Sequence, residues 1–221
     1  MTNPWLTIPL ADYEGHMALP SVGQAGMLSR VLGQLLTRFT PRSVALIGCA
    51  GGNGFEAVAA AGIERLVGID INPAYVEDAR ARFADRVPGL NLYCADIEQS
   101  LSFIAPVDLV YAALVFEYVD VGRALANLCG LCQPGGVIAA LLQLPKAGVA
   151  SVSPSPFTSL QDLSAIMRLV PPQDFLATAA GLQFDMLSEE VIALESGKQF
   201  CLLVLRRAAE RGTVHDRRLD W

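Results

Sequence analysis

The stretch from Ser43 to Gly54, SVALIGCAGGNG, decides the fold. Its first half, Ser43 to Gly48, is an apolar run without polar alternation, which reads as a strand buried on both faces. Its second half sets glycines at 48, 51, 52 and 54 around Ala50. Small residues let the chain turn tightly and let bare backbone approach a ligand that side chains would exclude. The alanine-rich segment Asn53 to Ala61 then reads as a helix ended by Gly62. Strand, tight turn and helix form the opening of a βαβ unit.

Working outward, the same alternation repeats. Leu66 to Asp70, Leu90 to Cys94, Val107 to Val115 and Gly136 to Leu142 read as further buried strands. Pro73 to Phe83 and Gly122 to Cys132 read as helices between them. Upstream, Ser21-x-x-Gln24 has the form of a capping box for a helix carrying Leu28, Val31, Leu32, Leu35, Leu36 and Phe39 at helical spacing, closed by Pro41. Downstream, Leu182 to Leu194 and Gln199 to Arg206 flank Glu195-Ser196-Gly197-Lys198 as a buried antiparallel hairpin. The intervening Pro145 to Pro172 is rich in Pro and Ser, with one short helix capped at Ser159. The expected fold class is α/β, a Rossmann-like, doubly wound and mostly parallel seven-stranded sheet with an antiparallel terminal strand. The expected organisation is a single domain over 1–206, with an N-terminal arm and helix in 1–40 and a substrate lid at 145–172. A charged tail follows at 207–221.

Composition narrows the function. With 52% hydrophobic and 17% charged residues in 221, the chain is a globular domain rather than a disordered one. A net charge of −6 argues against nucleic acid as the partner. The segment MTNPWLTIPLADYEGHM has no basic region followed by an apolar core, and no apolar run approaches the roughly 20 residues of a membrane span. A cytoplasmic protein with no membrane partner is expected. Cys49, Cys94 and Cys201 read as reduced core thiols, and Cys129-x-x-Cys132 as two buried helix positions with no metal.

Two acids raise the glycine turn above a mere connection. Asp70 ends the second strand, 22 residues after Gly48, near the offset at which a carboxylate accepts ribose hydroxyls. Asn72 is the better cap for the helix that follows, which frees Asp70. Asp96 follows the third strand, where a carboxylate can accept from an adenine amino group. A dinucleotide G-x-G-x-x-G would want glycine at 50 and 53, where the chain has Ala50 and Asn53. The spacing G-x-G-x-G puts Gly48, Ala50 and Gly52 in register instead, as in enzymes that use S-adenosylmethionine.

From about Ser43 to Arg206 the chain resembles the class I S-adenosylmethionine-dependent methyltransferases. The resemblance is carried by LIGCAGGNGFE, GIDINP, CADI, LVYAALVFEYVD, LCQPGGVIAAL and the terminal hairpin. It implies S-adenosylmethionine as cofactor and S-adenosylhomocysteine as product. It also implies Gly48, Ala50 and Gly52 near the methionine portion, Asp70 with Ile71 on the ribose, and Asp96 with Ile97 at the adenine. One position departs: Leu46 stands where the family carries an acid for the cofactor's amino group. Backbone carbonyls of the loop and the segment after strand four, or the N-terminal segment, are then expected to hold the ammonium.

Methyl transfer from a sulfonium is an in-line displacement for which alignment supplies most of the catalysis, and a base is needed only if the acceptor must lose a proton. Glu117, after strand four, is a candidate for the cofactor's amino end, for orienting an acceptor, or for base catalysis, against a solvated loop carboxylate or a cap. Tyr118 beside it is a candidate substrate contact, and Asp120 reads as a helix cap. In the N-terminal arm, Tyr13 is a second candidate substrate contact and His16 a candidate clamp or base, against a surface turn. Phe157, Ile166 and Met167 are candidates to line an apolar pocket, and His215 in the tail reads as solvated. The function expected is methyl transfer to a small molecule. Two alternatives stand beside it. An NAD(P)-dependent reductase would want a Tyr-x-x-x-Lys pair that Lys146 and Lys198, the sole lysines, do not make. A non-catalytic methyltransferase-like binding or assembly protein is the other.

Overall fold

The computed structural model describes residues 3–209; His215 and the tail from residue 210 lie outside them. The elements run α1 (Leu10–Ala18), α2 (Gln24–Phe39), β1 (Ser43–Ile47), α3 (Phe55–Ala60), β2 (Arg65–Asp70), α4 (Pro73–Phe83) and β3 (Leu90–Cys94). They continue β4 (Val107–Ala113), α5 (Val121–Leu131), β5 (Cys132–Leu144), α6 (Leu163–Ile166), α7 (Pro172–Gly181), β6 (Phe184–Ala193) and β7 (Gln199–Arg207). One sheet takes all seven strands in the order β3-β2-β1-β4-β5-β7-β6. The first five are parallel, and β7 runs antiparallel to both β5 and β6.

The apolar runs form strands because both sheet faces are covered. Alternate residues feed opposite layers: Val44 and Leu46 pack under α2, α3 and α4, while Ala45 and Ile47 face the layer built by α5 and α7. β1 pairs with β2 on one side and β4 on the other, and from this pair the chain winds outward in both directions. The crevice at the carboxyl ends of β1 and β4 is therefore the topological switch point, where ligands bind in open α/β sheets.

Local details differ from the sequence expectations for identifiable reasons. α2 begins only at Gln24, with Gly23 at φ 66° and no side-chain cap, so the Ser21 capping box does not form. Ser159 caps no helix; its hydroxyl donates to Asp12 Oδ2 at 2.6 Å and ties the short 158–160 turn to α1. Of the hairpin, β7 is buried and β6 buries only Phe184. β6 is the exposed sheet edge, with Met186 and Val191 each more than half exposed. Cys94 is exposed at the end of β3 rather than in the core, Cys129 is half-buried on α5, and Cys132 opens β5. Asn72 caps α4 through Ala74 N–H, and Asp120 caps α5 through Arg123 N–H. Two helices absent from the sequence reading, α1 and α7, follow Pro9 and Pro171, whose fixed φ suits a helix entry.

Candidate functional site

A cavity of about 160 Å³ opens at the switch point, lined on its floor by Gly48, Ala50, Asp70, Asp96, Leu114 and Gln143. Its position follows from the strand ends. β1 delivers Gly48, β2 delivers Asp70 and β3 leads to Asp96. Gly48 sits at φ 67°, and a Cβ there would come within 2.8 Å of Val115 Cγ2. Ala50 and Leu114 are also left-handed, at φ 46° and 58°, although neither is glycine. Such backbone is disfavoured for side-chain-bearing residues, and both border the cavity.

Asp70 is 8% exposed. Its Oδ2 accepts from Ala50 N–H at 2.8 Å and its Oδ1 from Asn72 N–H at 2.9 Å. Each oxygen keeps a second lone pair, so the carboxylate can still accept two hydroxyls from the cavity. Burial raises its pKa against the opposing hydrogen bonds from Asn72 and Ala50. Asp96 is half-buried; its Oδ1 accepts from Glu98 N–H, and Ile71 and Ile97 line the cavity beside it. Acceptors and apolar walls are thus paired at the β2–β3 end, as an adenosine needs.

The remaining loop glycines serve packing. A Cβ on Gly52, at φ 103°, would collide with the Phe83 ring, and one on Gly54 would meet Leu32 and Leu46. Gly52 does not line the 160 Å³ cavity.

An N-terminal roof closes the site. Trp5 meets Tyr13 and Tyr118 edge-on at 5.8 and 5.2 Å between ring centres, and Tyr13 stacks on Tyr75 at 6.2 Å. Tyr75 O–H donates to Ile8 C=O and Asn72 Nδ2 to Trp5 C=O, which fastens the arm to α4. Burial, with the charge of Asp70 behind it, pushes the Tyr13 hydroxyl far above its ordinary range. Tyr13, His16 and Tyr118 all line the cavity. Ser151, Leu160, Leu163 and Met167 form a further wall from the 145–172 segment, whereas Phe157 and Ile166 pack behind it around Ile8.

Glu117 is brought near the cavity but not onto its surface. It is 1% exposed, its Oε1 accepts from Gln143 N–H at 2.6 Å, and its Oε2 has no partner. Burial lifts its pKa to about 7 against the pull of that hydrogen bond and of Lys198. His16 is 5% exposed with Nδ1 unpartnered. Burial, then the nearby Lys198 charge, lowers its pKa, so the imidazole is neutral at pH 7. Polar residues without a site role in the sequence reading also line the cavity, among them Gln24, Gln143 and Lys198. The signal for Gln143 was a polar side chain ending an otherwise apolar strand.

A second cavity of about 200 Å³ adjoins the first and shares Gly48, Tyr13, Met17 and Leu28 with it. Leu46 lines it, and Glu14 from α1 is the acid on its wall, paired with Arg82 at 2.5 Å. Among the described residues, no set of three His, Cys, Asp or Glu side chains gathers into a metal site, and no helix is long and apolar enough to cross a membrane.

The methyltransferase-domain family model matches residues 46–140, which span the glycine loop to the middle of β5. A putative methyltransferase of Haloferax volcanii, solved in complex with a methyltransferase activator, is similar at TM-score 0.68 and 17% identity, covering 90% of this chain and 96% of that one. Magnesium protoporphyrin IX methyltransferase of Synechocystis PCC 6803, solved with bound S-adenosylhomocysteine, is similar at TM-score 0.63 and 16% identity, over 85% and 84%. The [4+2]-cyclase SpnF is similar at TM-score 0.65 and 14% identity, over 82% of each chain. No curated protein matches by sequence. Residues 46–140 match the methyltransferase-domain family, and the chain carries the Rossmann-like fold of the class I S-adenosylmethionine-dependent methyltransferases.

Proposed function

We propose that this protein is a cytosolic S-adenosylmethionine-dependent methyltransferase acting on a small molecule. The observation that carries the reading is the convergence of Gly48, Ala50, Asp70 and Asp96 on one cavity at the switch point. When bound, S-adenosylmethionine supplies a methyl group already activated by its sulfonium. Asp70 takes the ribose hydroxyls on the lone pairs its backbone partners leave free, with Ile71 beside it. Asp96 takes the adenine amino group, and Ile97 and Ile71 flank the ring. Gly48 and Ala50 present backbone to the methionine portion, and Gly52 keeps the turn close-packed on Phe83. Glu14, not residue 46, supplies the acid for the ammonium, because it is the carboxylate on the wall of the adjoining cavity.

The roof of Trp5, Tyr13 and Tyr118 excludes water and bounds the acceptor with apolar and aromatic surface. His16, neutral and lining the cavity, takes a proton or a hydrogen bond from an acceptor that carries one. Glu117 acts through Gln143 and Lys198 as a positioning residue, since its carboxyl lies behind the cavity wall. The aromatic roof of Trp5, Tyr13 and Tyr118 over the cavity supports a small acceptor over a macromolecule.

Calorimetric titration tests the reading. Saturable one-to-one binding of S-adenosylhomocysteine, with none of NAD or NADP, is the expected result. Binding of NAD(P) alone would make the chain a reductase. Binding of neither would leave a methyltransferase-like fold serving assembly.

A further inference from the structure

The cavity is electrically lopsided. Its β2–β3 end carries Asp70 and Asp96, whereas its β5–β7 end carries Lys198, His16 and Gln143 and no carboxylate on its surface. Lys198 stands just before β7 and is 3% exposed. Its ammonium donates to the Ser151 carbonyl at 2.6 Å and to Gln143 Oε1 at 3.2 Å. Gln143 Nε2 donates to the same Ser151 carbonyl at 3.0 Å, so three chain segments meet at this nitrogen. Both acceptors are neutral, and among the described residues Lys198 forms no salt bridge. An ammonium has three donors, and these two bonds leave one unused. A buried cation without an ion-pair partner is costly, and structures keep one where a ligand or a neighbour compensates it.

Glu117 does not fill that place. Its Oε1 is engaged by the Gln143 backbone and its pKa of about 7 leaves it only partly ionised at neutral pH. Lys198, lowered to about 8 by burial and held up in part by Glu117, is still mostly protonated there. The neighbouring His16 is neutral and offers a lone pair, not a second negative charge. Tyr118, Leu160, Leu163 and Met167 give the same cavity aromatic and apolar wall.

We infer that Lys198 is the anchor of the acceptor site, and that the acceptor is a small apolar or aromatic molecule bearing a carboxylate, seated with its charge on the Lys198 ammonium. This rests on the methyltransferase reading for which end of the cavity the cofactor takes. Gly48 on β1 and Lys198 before β7 are three strand spacings apart, about 14 Å at the usual separation. On the methyltransferase reading, the two ends of the cavity serve different molecules.

The test uses matched probes on the wild-type protein saturated with S-adenosylhomocysteine: benzoate against benzamide, cinnamate against cinnamamide, and 2-naphthoate against 2-naphthamide. At least one carboxylate binds tenfold or more tightly than its amide. Lys198→Met abolishes that preference, Lys198→Arg retains it, and neither changes the affinity for S-adenosylhomocysteine. No carboxylate preferred over its amide overturns the inference, and this comparison needs no variant to fold. A preference that survives Lys198→Met also overturns it. So does a tenfold loss of S-adenosylhomocysteine affinity in that variant, which would assign the lysine to the cofactor's own carboxylate. A wild-type protein that binds no S-adenosylhomocysteine overturns the cofactor reading itself, and the inference falls with it.

Discussion

Glu117→Gln converts the buried carboxyl into a neutral side chain of the same shape, whose Oε1 can keep the bond from Gln143 N–H. In the folded protein Glu117 titrates at about 7, against 4.5 for an ordinary glutamate. Between those values the folded chain holds a proton that the unfolded chain has lost. Its stability therefore falls as pH rises through this window, and levels off above the folded value. The interval corresponds to about 3 kcal/mol. Removing the charge also removes an attraction that holds up the Lys198 pKa, which offsets part of the gain. The variant is expected to be about 2–3 kcal/mol more stable than wild type at pH 8, and equal to it near pH 4.5. For a domain of this size that is a rise in Tm of about 4–12 °C at pH 8. Urea denaturation from pH 4.5 to 8 reads it directly, and the other carboxylates cancel in the comparison. Parallel stability curves for the two proteins would refute the burial argument, since they would mean that Glu117 is solvated in the folded state.

Two substitutions separate cofactor binding from folding. Asp70→Ala weakens S-adenosylhomocysteine binding by about 1.5–3 kcal/mol, and it also lowers stability because the N–H groups of Ala50 and Asn72 lose their acceptor. Asp70→Asn keeps one acceptor and recovers part of the stability but not the affinity; calorimetry and thermal melts on the same samples check both. Glu14→Gln, on the wall of the second cavity, weakens S-adenosylmethionine by about 3–10-fold through loss of a charge-assisted contact. It leaves 5′-methylthioadenosine, which has no ammonium, unchanged, and equal losses for the two ligands would remove Glu14 from the ammonium site.

The sheet was legible because burial on both faces leaves a plain mark. SVALIG and LVGID need no partner in view to read as strands, and β2 ends where its sequence says; β3 is a half-buried edge strand. Asp70 and Asp96 were legible for a related reason: a carboxylate at or just after the end of an apolar strand stands at the carboxyl edge of the sheet. The Lys198 end of the cavity was hidden. Lys198 lies in Glu195-Ser196-Gly197-Lys198, which reads locally as a solvated hairpin turn. It is buried only because Ser151, 47 residues earlier, folds back onto it. Gly52 stands off the cavity, and a Cβ there would strike the Phe83 ring in α4, a contact invisible in the local sequence. α7 escaped notice because its sequence, PQDFLATAAG, buries only Phe175 and Ala179 and so carries a weak periodic signal.

In the proposed complex, one cavity at the β1–β4 switch point holds S-adenosylmethionine with its adenosine toward β2 and β3. A crystal structure of the S-adenosylhomocysteine complex tests it most directly. The expected density puts ribose hydroxyls on Asp70, the adenine amino group on Asp96, and the sulfur facing the half of the cavity that ends at Lys198. Nucleoside density lying against Lys198, or none in this cavity at saturating ligand, would contradict it.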